Sequence, residues 1–348
     1  TGPEAARIRA MRVPDKPLIN TSGTGLFCEP GNFHIDPWGP ADTAVVTHAH
    51  ADHARPGSRR YLAAESCVPL LRRRLGDDIR VEGLAWGEER RLGAATISLH
   101  PAGHILGSAQ VRVSVGEDVW LVTGDFKRDP DPTCEPFQPV ACDVMITEAT
   151  FALPIYRWPS PSAVAEQILQ WWRVNADQHR ASLLLCYSLG KAQRVLAELA
   201  RLTDRQVYAH GAVLSVNAIY RDAGVSMLEA IPVPEQADPG DFRGALIIAP
   251  PAAGRSAWTR RFGPLSTGFC SGWMRVRGNR RRRGYDRGFV LSDHADWPAL
   301  IETIEDAGAR RVLTTHGQDA QLVRFLRERG LEADALETAF GGHGSEAP

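Results

Sequence analysis

The segment His48-Ala49-His50-Ala51-Asp52-His53 puts three imidazoles and one carboxylate within six residues. Imidazole nitrogen and carboxylate oxygen are the groups that Zn²⁺ takes in catalytic sites. An ion that keeps one position open for water uses three protein ligands, so four such groups at one turn point to two neighbouring ions. Three further residues belong with them: His104 in Pro101-Ala102-Gly103-His104, Asp125 in Thr123-Gly124-Asp125-Phe126, and His316 in Thr315-His316-Gly317. Each follows a strand-like run and stands beside glycine, which permits tight backbone geometry near a site. Taken singly, a histidine or aspartate at a strand end is more often a cap or turn residue; the company of the first cluster reverses that weighting.

The elements that must carry these residues are legible in outline. Residues 42–47 form a β-branched run that ends at the histidine cluster, and residues 95–100 alternate as a strand does. Residues 111–115 and 119–123 flank Gly116-Glu117-Asp118 and read as a hairpin. Residues 144–147 are a further buried strand. The middle of the chain changes character. Helical patterns over 162–174 and 191–202 alternate with strands over 183–187, 207–209 and 245–249, which predicts a small α/β unit with a partly parallel sheet. A strand over 289–291, a helix over 297–307, a strand over 311–315 and a helix over 321–329 complete the chain.

At 348 residues, with 43% hydrophobic and 23% charged, the chain has the composition of a globular protein of about two domains. No apolar run approaches the roughly 18–20 residues of a membrane span. The first residues carry no apolar core of a signal peptide, so no membrane association and a cytoplasmic location are expected. The six cysteines include no C-x-x-C pair, which argues against a zinc ribbon or a thioredoxin-like site, and they read as reduced thiols. Forty basic residues balance forty-one acidic ones, but a net charge of −1 conceals clustering.

The order H-x-H-x-D-H, then His104, then Asp125 in T-G-D, then a late His316 resembles the metallo-β-lactamase superfamily. Pro101-Ala102-Gly103-His104-Ile105-Leu106-Gly107-Ser108-Ala109, Glu148 in Thr147-Glu148-Ala149-Thr150, and His294 in Ser292-Asp293-His294-Ala295-Asp296 narrow the resemblance to its β-CASP nucleases. Gly25-Leu26-Phe27-Cys28, Ile35-Asp36-Pro37-Trp38, the segment from Ser271 to Gly278 and Asp293-His294-Ala295-Asp296-Trp297 are most similar to bacterial ligase-associated DNA exonucleases. The resemblance implies an α/β fold: a four-layer αββα sandwich formed by residues 1–155 and 288–348, with an inserted α/β β-CASP domain over 156–287. It implies that His48, His50 and His104 hold one divalent ion, that Asp52, His53 and His316 hold another, and that Asp125 bridges them. The metal would be zinc, with manganese as the alternative, and the ion pair would activate water for attack on phosphorus. Asp52 would orient that water, His294 would contact the scissile phosphate, and Glu148 would fix the His294 tautomer. Asp42 matches the family's first acidic motif, as a supporting residue rather than a ligand. Asp293 departs from the small residue common before the motif histidine.

Seven arginines lie between Arg275 and Arg287, with Trp273 and Tyr285 nearby. Arginine pairs bidentately with phosphate and aromatic rings stack on bases, so Ser271, Trp273, Arg275, Arg277 and Arg280 are candidate substrate-binding residues. A solvated basic loop is the bland alternative. Ser188 and Lys191, at a strand-to-helix turn, and Ser108, four residues after His104, are further candidates for phosphate, against the plain readings of helix cap and solvated lysine. The implied substrate is DNA, single-stranded or at 5′ ends, and the implied partners are an ATP-dependent DNA ligase and a helicase. A ribonuclease on the same scaffold, a small-molecule hydrolase, and a non-catalytic nucleic-acid-binding scaffold are the competing readings. The last would be expected to have lost metal ligands.

Overall fold

A computed structural model describes residues 17–276, 278, 284–317 and 319–336, with the backbone alone at His316. Arg277, Arg280 and the other arginines over 281–283 lie outside the described residues, as does the side chain of His316.

The described chain is a mixed α/β structure with three sheets. The first contains, in spatial order, β1 (Ile19–Ser22), β2 (Gly25–Cys28), β3 (Phe33–Ile35), β4 (Ala44–Val45), β5 (Tyr61–Ala64) and β6 (Val81–Leu84). Its first three strands are antiparallel and the rest join in parallel. The second sheet contains β7 (Arg90–Leu92), β8 (Ala95–Pro101), β9 (Ala109–Val115), β10 (Asp118–Val122) and β11 (Val144–Ala149), followed by two late strands, β18 (Arg311–Gly317) and β19 (Glu332–Ala335). The third holds β12 (Ala181–Leu185), β13 (Val207–Ala209), β14 (Ala230–Pro232), β15 (Leu246–Ala249), β16 (Leu265–Cys270) and β17 (Arg287–Phe289), every neighbouring pair parallel. The helices are α1 (Val68–Leu75), α2 (Pro161–Asp177), α3 (Lys191–Ala200), α4 (Gly211–Asp222), α5 (Trp297–Ala307) and α6 (Asp319–Glu328).

Period-two alternation makes the second sheet a shared wall, since successive side chains point to opposite faces. Ile97, Leu99, Val111, Val113, Trp120, Val122 and Ile146 join one core with Phe33, Ile35, Val45 and Leu62 of the first sheet. Leu121, Met145 and Val312 face the other way, into a core with Leu300 and Ile304 of α5 and Leu322 and Leu326 of α6. The third sheet has its own cores. One packs Leu184, Leu246 and Ile248 against Ile168 and Trp172 of α2 and Val195, Leu196 and Leu199 of α3.

The expected hairpin is present, with β9 and β10 antiparallel and Trp120 opposite Val113. The middle sheet is wholly rather than partly parallel among its described pairs. The helix expected over 297–307 matches α5; Asp296 caps it by accepting the Ala299 N–H at 3.1 Å, and Gly308 ends it at φ 62°. The run over 42–47 pairs as a strand only at Ala44–Val45, because the chain turns there to present the histidines. No helix of the described residues is long and apolar enough to cross a membrane. None of the six cysteines forms a disulfide, and five of them are buried.

Candidate metal centre and the cleft beside it

Three loops converge where the first two sheets meet. The first leaves β4: Thr47 accepts the Ala109 N–H at 2.8 Å through its carbonyl, and the Ala54 N–H returns to the His50 carbonyl at 2.8 Å, so residues 47–54 form a tight, anchored turn. The second leaves β8. Gly103, at φ +72°, lies so close to Lys127 that a Cβ there would stand 2.2 Å from its carbonyl oxygen. Ser108 closes the same turn, its buried hydroxyl accepting the N–H groups of His104 at 3.0 Å and Ile105 at 3.2 Å. The third leaves β10, where Gly124 at φ +55° lets Asp125 pass Thr47; a Cβ would meet the Thr47 Cβ at 2.7 Å.

These loops bring together His48, His50, His104 and Asp125. His48 Nε2 lies 3.1 Å from His50 Nδ1, which lies 3.1 Å from His104 Nε2. The opposite nitrogens fix where the protons are. His50 Nε2–H donates to the Leu189 carbonyl at 3.2 Å, and His104 Nδ1–H donates to the Asp293 carbonyl at 2.7 Å. The Thr47 hydroxyl gives its own proton to Asp36 at 2.6 Å and therefore accepts from His48 Nδ1 at 3.0 Å. All three inward nitrogens are thus bare lone pairs, which repel at such distances unless a cation lies between them. Nitrogens on a tetrahedral zinc with Zn–N of roughly 2.0–2.1 Å stand about 3.3 Å apart, so the set fits a divalent ion. Burial, followed by the neighbouring His53, drives His48 well below its ordinary pKa. Burial, with His294 next, does the same to His104. Both stay neutral, the form a metal requires.

Asp125 Oδ2 lies 3.5 Å from His48 Nε2, 3.8 Å from His104 Nε2 and 3.5 Å from His53 Nε2. It stands between the first three imidazoles and His53, and Asp52 approaches His53 Nε2 at 3.9 Å. Burial works against charge on His53, yet Asp125, Asp36 and Asp52 outweigh it and raise its pKa well above the ordinary value. Asp125 is held well below the usual carboxylate range, since His53 and His294 overcome the opposing effect of burial. The acid supporting this loop is Asp36 rather than Asp42. Asp36 accepts the Thr47 N–H at 2.8 Å and His53 Nδ1–H at 2.7 Å, whereas Asp42 is exposed and pairs with Arg59 at 3.2 Å. Asp42 lies two residues before β4, whereas Asp36 directly follows β3, which pairs with β4 in the sheet.

His294 and Glu148 meet as a buried pair, Nδ1 to Oε2 at 2.8 Å, while Glu148 Oε1 accepts the Phe126 N–H at 2.8 Å. The His294 ring lies 4.7 Å from that of His104, and its Nδ1 lies 4.0 Å from Asp125 Oδ2. Asp293, the departure from the pattern, is tied down. Its carboxylate faces Lys191 at 3.4 Å and Arg194 at 3.3 Å, and Arg194 also reaches Asp131 at 3.1 Å, with Lys127 3.4 Å from the same Asp131. Lys191 and Arg194 outweigh burial and hold the Asp293 carboxyl low. Its backbone carbonyl is thereby fixed on His104.

Several expected substrate contacts belong elsewhere. Ser108 is sealed inside the His104 turn. Ser271 is fully buried and caps the turn Gly272–Arg275 by accepting the Trp273 N–H at 3.2 Å. Lys191 is fully buried against Asp293 rather than solvated. Each is buried by the packing that orders its loop. Ser188 is partly exposed and lines an open cleft of about 360 Å³ with His50, Asp52, Arg74 and Tyr187. Trp273 is partly exposed and packs on Phe151, at 4.8 Å between ring centroids; Phe151 is 5.9 Å from His294. Arg275 is exposed, its Nε donating to the Ile155 carbonyl at 3.2 Å. Asp36 and the carbonyls of Leu189 and Asp293 are contributions that the sequence motifs did not reveal.

Comparison with known proteins gives these groups a family. A probable DNA ligase of Opitutus terrae is 34% identical over 315 residues, 90% of this chain and 30% of that protein. An RNase J-like protein of Methanocaldococcus jannaschii is 24% identical across 51% of this chain and 49% of its own length. A ribonuclease of Thermus thermophilus is 30% identical across 55% of this chain and 48% of its own. The chain thus spans about a third of the ligase relative and about half of the other two. A protein of unknown function from Enterococcus faecalis shares the fold, with a TM-score of 0.56 at 12% identity over 86% of this chain and 80% of that one. No family model matches the chain. The chain belongs to the β-CASP nucleases of the metallo-β-lactamase superfamily. Its likeness to the ligase relative fits the ligase-associated branch of that family.

Proposed function

We propose that this protein is a two-metal DNA exonuclease that hydrolyses phosphodiester bonds at single-stranded or 5′ ends during repair. The observation that carries the reading is the convergence of three inward lone pairs, on His48, His50 and His104, with the Asp125 carboxylate. His48, His50 and His104 would hold one ion; Asp52, His53 and His316 would hold the other; Asp125 would touch both. Zinc fits the nitrogen-rich first set, with manganese as the alternative. When bound, such a pair lowers the pKa of water and polarises a phosphoryl group.

The chain's own groups then divide the proton work. Asp52, partly exposed at the cleft, orients the attacking water and takes its proton. His294 keeps its Nδ1 proton on Glu148 and presents Nε2 to the departing oxygen, to which it delivers a proton. Glu148 holds the tautomer and stabilises the charged ring. In this reading the first two sheets with α1, α5 and α6 form the four-layer sandwich of residues 1–155 and 288–348, and the third sheet with α2, α3 and α4 is the insert over 156–287. The likeness to a probable DNA ligase supports a DNA ligase as repair partner; that this ligase is ATP-dependent and that a helicase joins it are part of the proposal.

A second reading, a ribonuclease, draws on the names of the matched archaeal and Thermus proteins, and a metal site alone does not read the sugar. The test is parallel digestion of end-labelled DNA and RNA strands of one sequence, with and without a 5′-phosphate. Mononucleotides released from DNA, faster than from RNA, are expected. Equal or faster cleavage of RNA favours the second reading, and no cleavage of either sinks both.

A further inference from the structure

The last turn of α1 carries Arg72-Arg73-Arg74, a run outside every motif discussed so far. The three arginines are not equivalent. Arg72 bonds the Asp77 carbonyl at 2.5 Å and Arg73 bonds Ser215 Oγ of α4 at 3.0 Å, so both serve the helix and its neighbour. Arg74 instead donates from Nε to the carbonyl of Ala49, between His48 and His50. The guanidinium is therefore positioned from the ligand turn itself. Its side chain is exposed, and it lines the open cleft with Asp52, His50, Tyr187 and Ser188.

The cleft lacks another accessible cation among these lining residues. Lys191 lies near but is fully buried, 5.4 Å from the Tyr187 ring centroid and paired with Asp293. Arg74, its Nε held on the Ala49 carbonyl, shares the cleft lining with the half-exposed ring of Tyr187. Guanidinium nitrogens match phosphate oxygens in pairs, and a phenol ring beside them can stack a base. Trp273 packs on Phe151, which lies 5.9 Å from His294, whereas Arg74 lines the cleft with His50 and Asp52, so the two lie by different groups of one centre.

We propose that Arg74 and Tyr187 form a nucleotide subsite at the cleft rim, Arg74 binding the phosphate next to the scissile one and Tyr187 stacking its base. This rests on the nuclease reading and adds a residue that sets strand placement. The probe is a single-stranded phosphorothioate oligodeoxynucleotide, titrated at several salt concentrations onto metal-replete protein and onto Arg74→Ala, Arg74→Lys and Tyr187→Leu. Binding to Arg74→Ala should weaken roughly tenfold or more, and its salt slope should fall by about 0.7. On a cleavable strand, KM should rise by a larger factor than kcat falls, and the loss should exceed that on bis-p-nitrophenyl phosphate about tenfold. Arg74→Lys should recover part of the binding, because one ammonium replaces a fork. Tyr187→Leu should weaken binding without changing the salt slope. Metal content by elemental analysis should match the parent protein. Unchanged affinity and slope in Arg74→Ala overturns the subsite. So does loss of metal in step with binding in both Arg74 variants, which would make Arg74 a brace for the ligand turn alone. A parent protein that cuts strands while Arg74→Ala equals it removes only the subsite; a parent that neither binds nor cuts any strand removes the nuclease reading as well.

Discussion

His294 stands beside the histidine cluster without belonging to the expected ligand set, and its Nδ1 is committed to Glu148. His294→Ala is expected to keep its metal and lose activity by about 10²–10⁴-fold, the usual contribution of a general acid. Elemental analysis alongside single-turnover rates checks both halves; metal loss would make His294 a ligand instead. Asp36→Ala is expected to weaken metal binding by roughly 10–100-fold, because it frees the His53 ring and the Thr47 backbone together. Competition with a coloured chelator measures this, and unchanged affinity would reduce Asp36 to a strand-end acid. The two carboxylates illustrate what was legible. The ligand-type residues stand out as a dense local pattern, H-x-H-x-D-H, that needs no tertiary information. Asp36 and Asp42 sit on either side of a turn, and only the parallel pairing of β3 with β4, with Asp36 at φ 45°, reveals which one reaches His53. The burial of Ser108 and Lys191 was hidden for a related reason: their residue types suit phosphate, but burial is decided by packing partners far away in sequence.

At the level of elements, strong periodicity and clear caps carried the reading. The hairpin of β9 and β10 and the helix α5 follow from alternation, from Asp296 and from Gly308. The short strands β1, β2 and β3 went unread, since runs of three or four residues give little periodicity. So did α1, whose Arg-rich surface obscures Leu70 and Leu71, the buried pair on its inner face. The turn into α3 has a sharper requirement. Gly190 sits at φ +90°, and a Cβ there would come within 2.3 Å of Ile105 Cγ2, one residue past His104. Gly190→Ala must strain its backbone and displace the His104 turn, at a cost of about 1–3 kcal/mol. Denaturant unfolding should show that loss of stability, with metal affinity reduced alongside it. An alanine variant as stable as the parent would mean that the two turns do not constrain each other.

For the whole molecule, the ligand set is a stability device as well as a reaction centre. Ions that bind the folded chain alone stabilise it by mass action, by about 2.7 kcal/mol at a hundredfold excess over the dissociation constant. Stripping the metals should therefore lower the melting temperature, and adding zinc back should restore it. The shift should shrink in a His104→Ala variant. A melting temperature indifferent to chelator would contradict a cation among His48, His50 and His104.

The carbonyls of Leu189 and Asp293, which turn the His50 and His104 protons outward, come from distant stretches of the chain. This limits modularity. A fragment ending at residue 155 would retain His48, His50, His104 and Asp125 in sequence while losing both acceptors, leaving each ring free to swap tautomers and present N–H instead of a lone pair. Grafting the middle segment from a relative would import a new acceptor for His50 along with any new substrate surface. Exchange of parts between members of such a family therefore has to preserve two backbone oxygens that no comparison of side chains would mark.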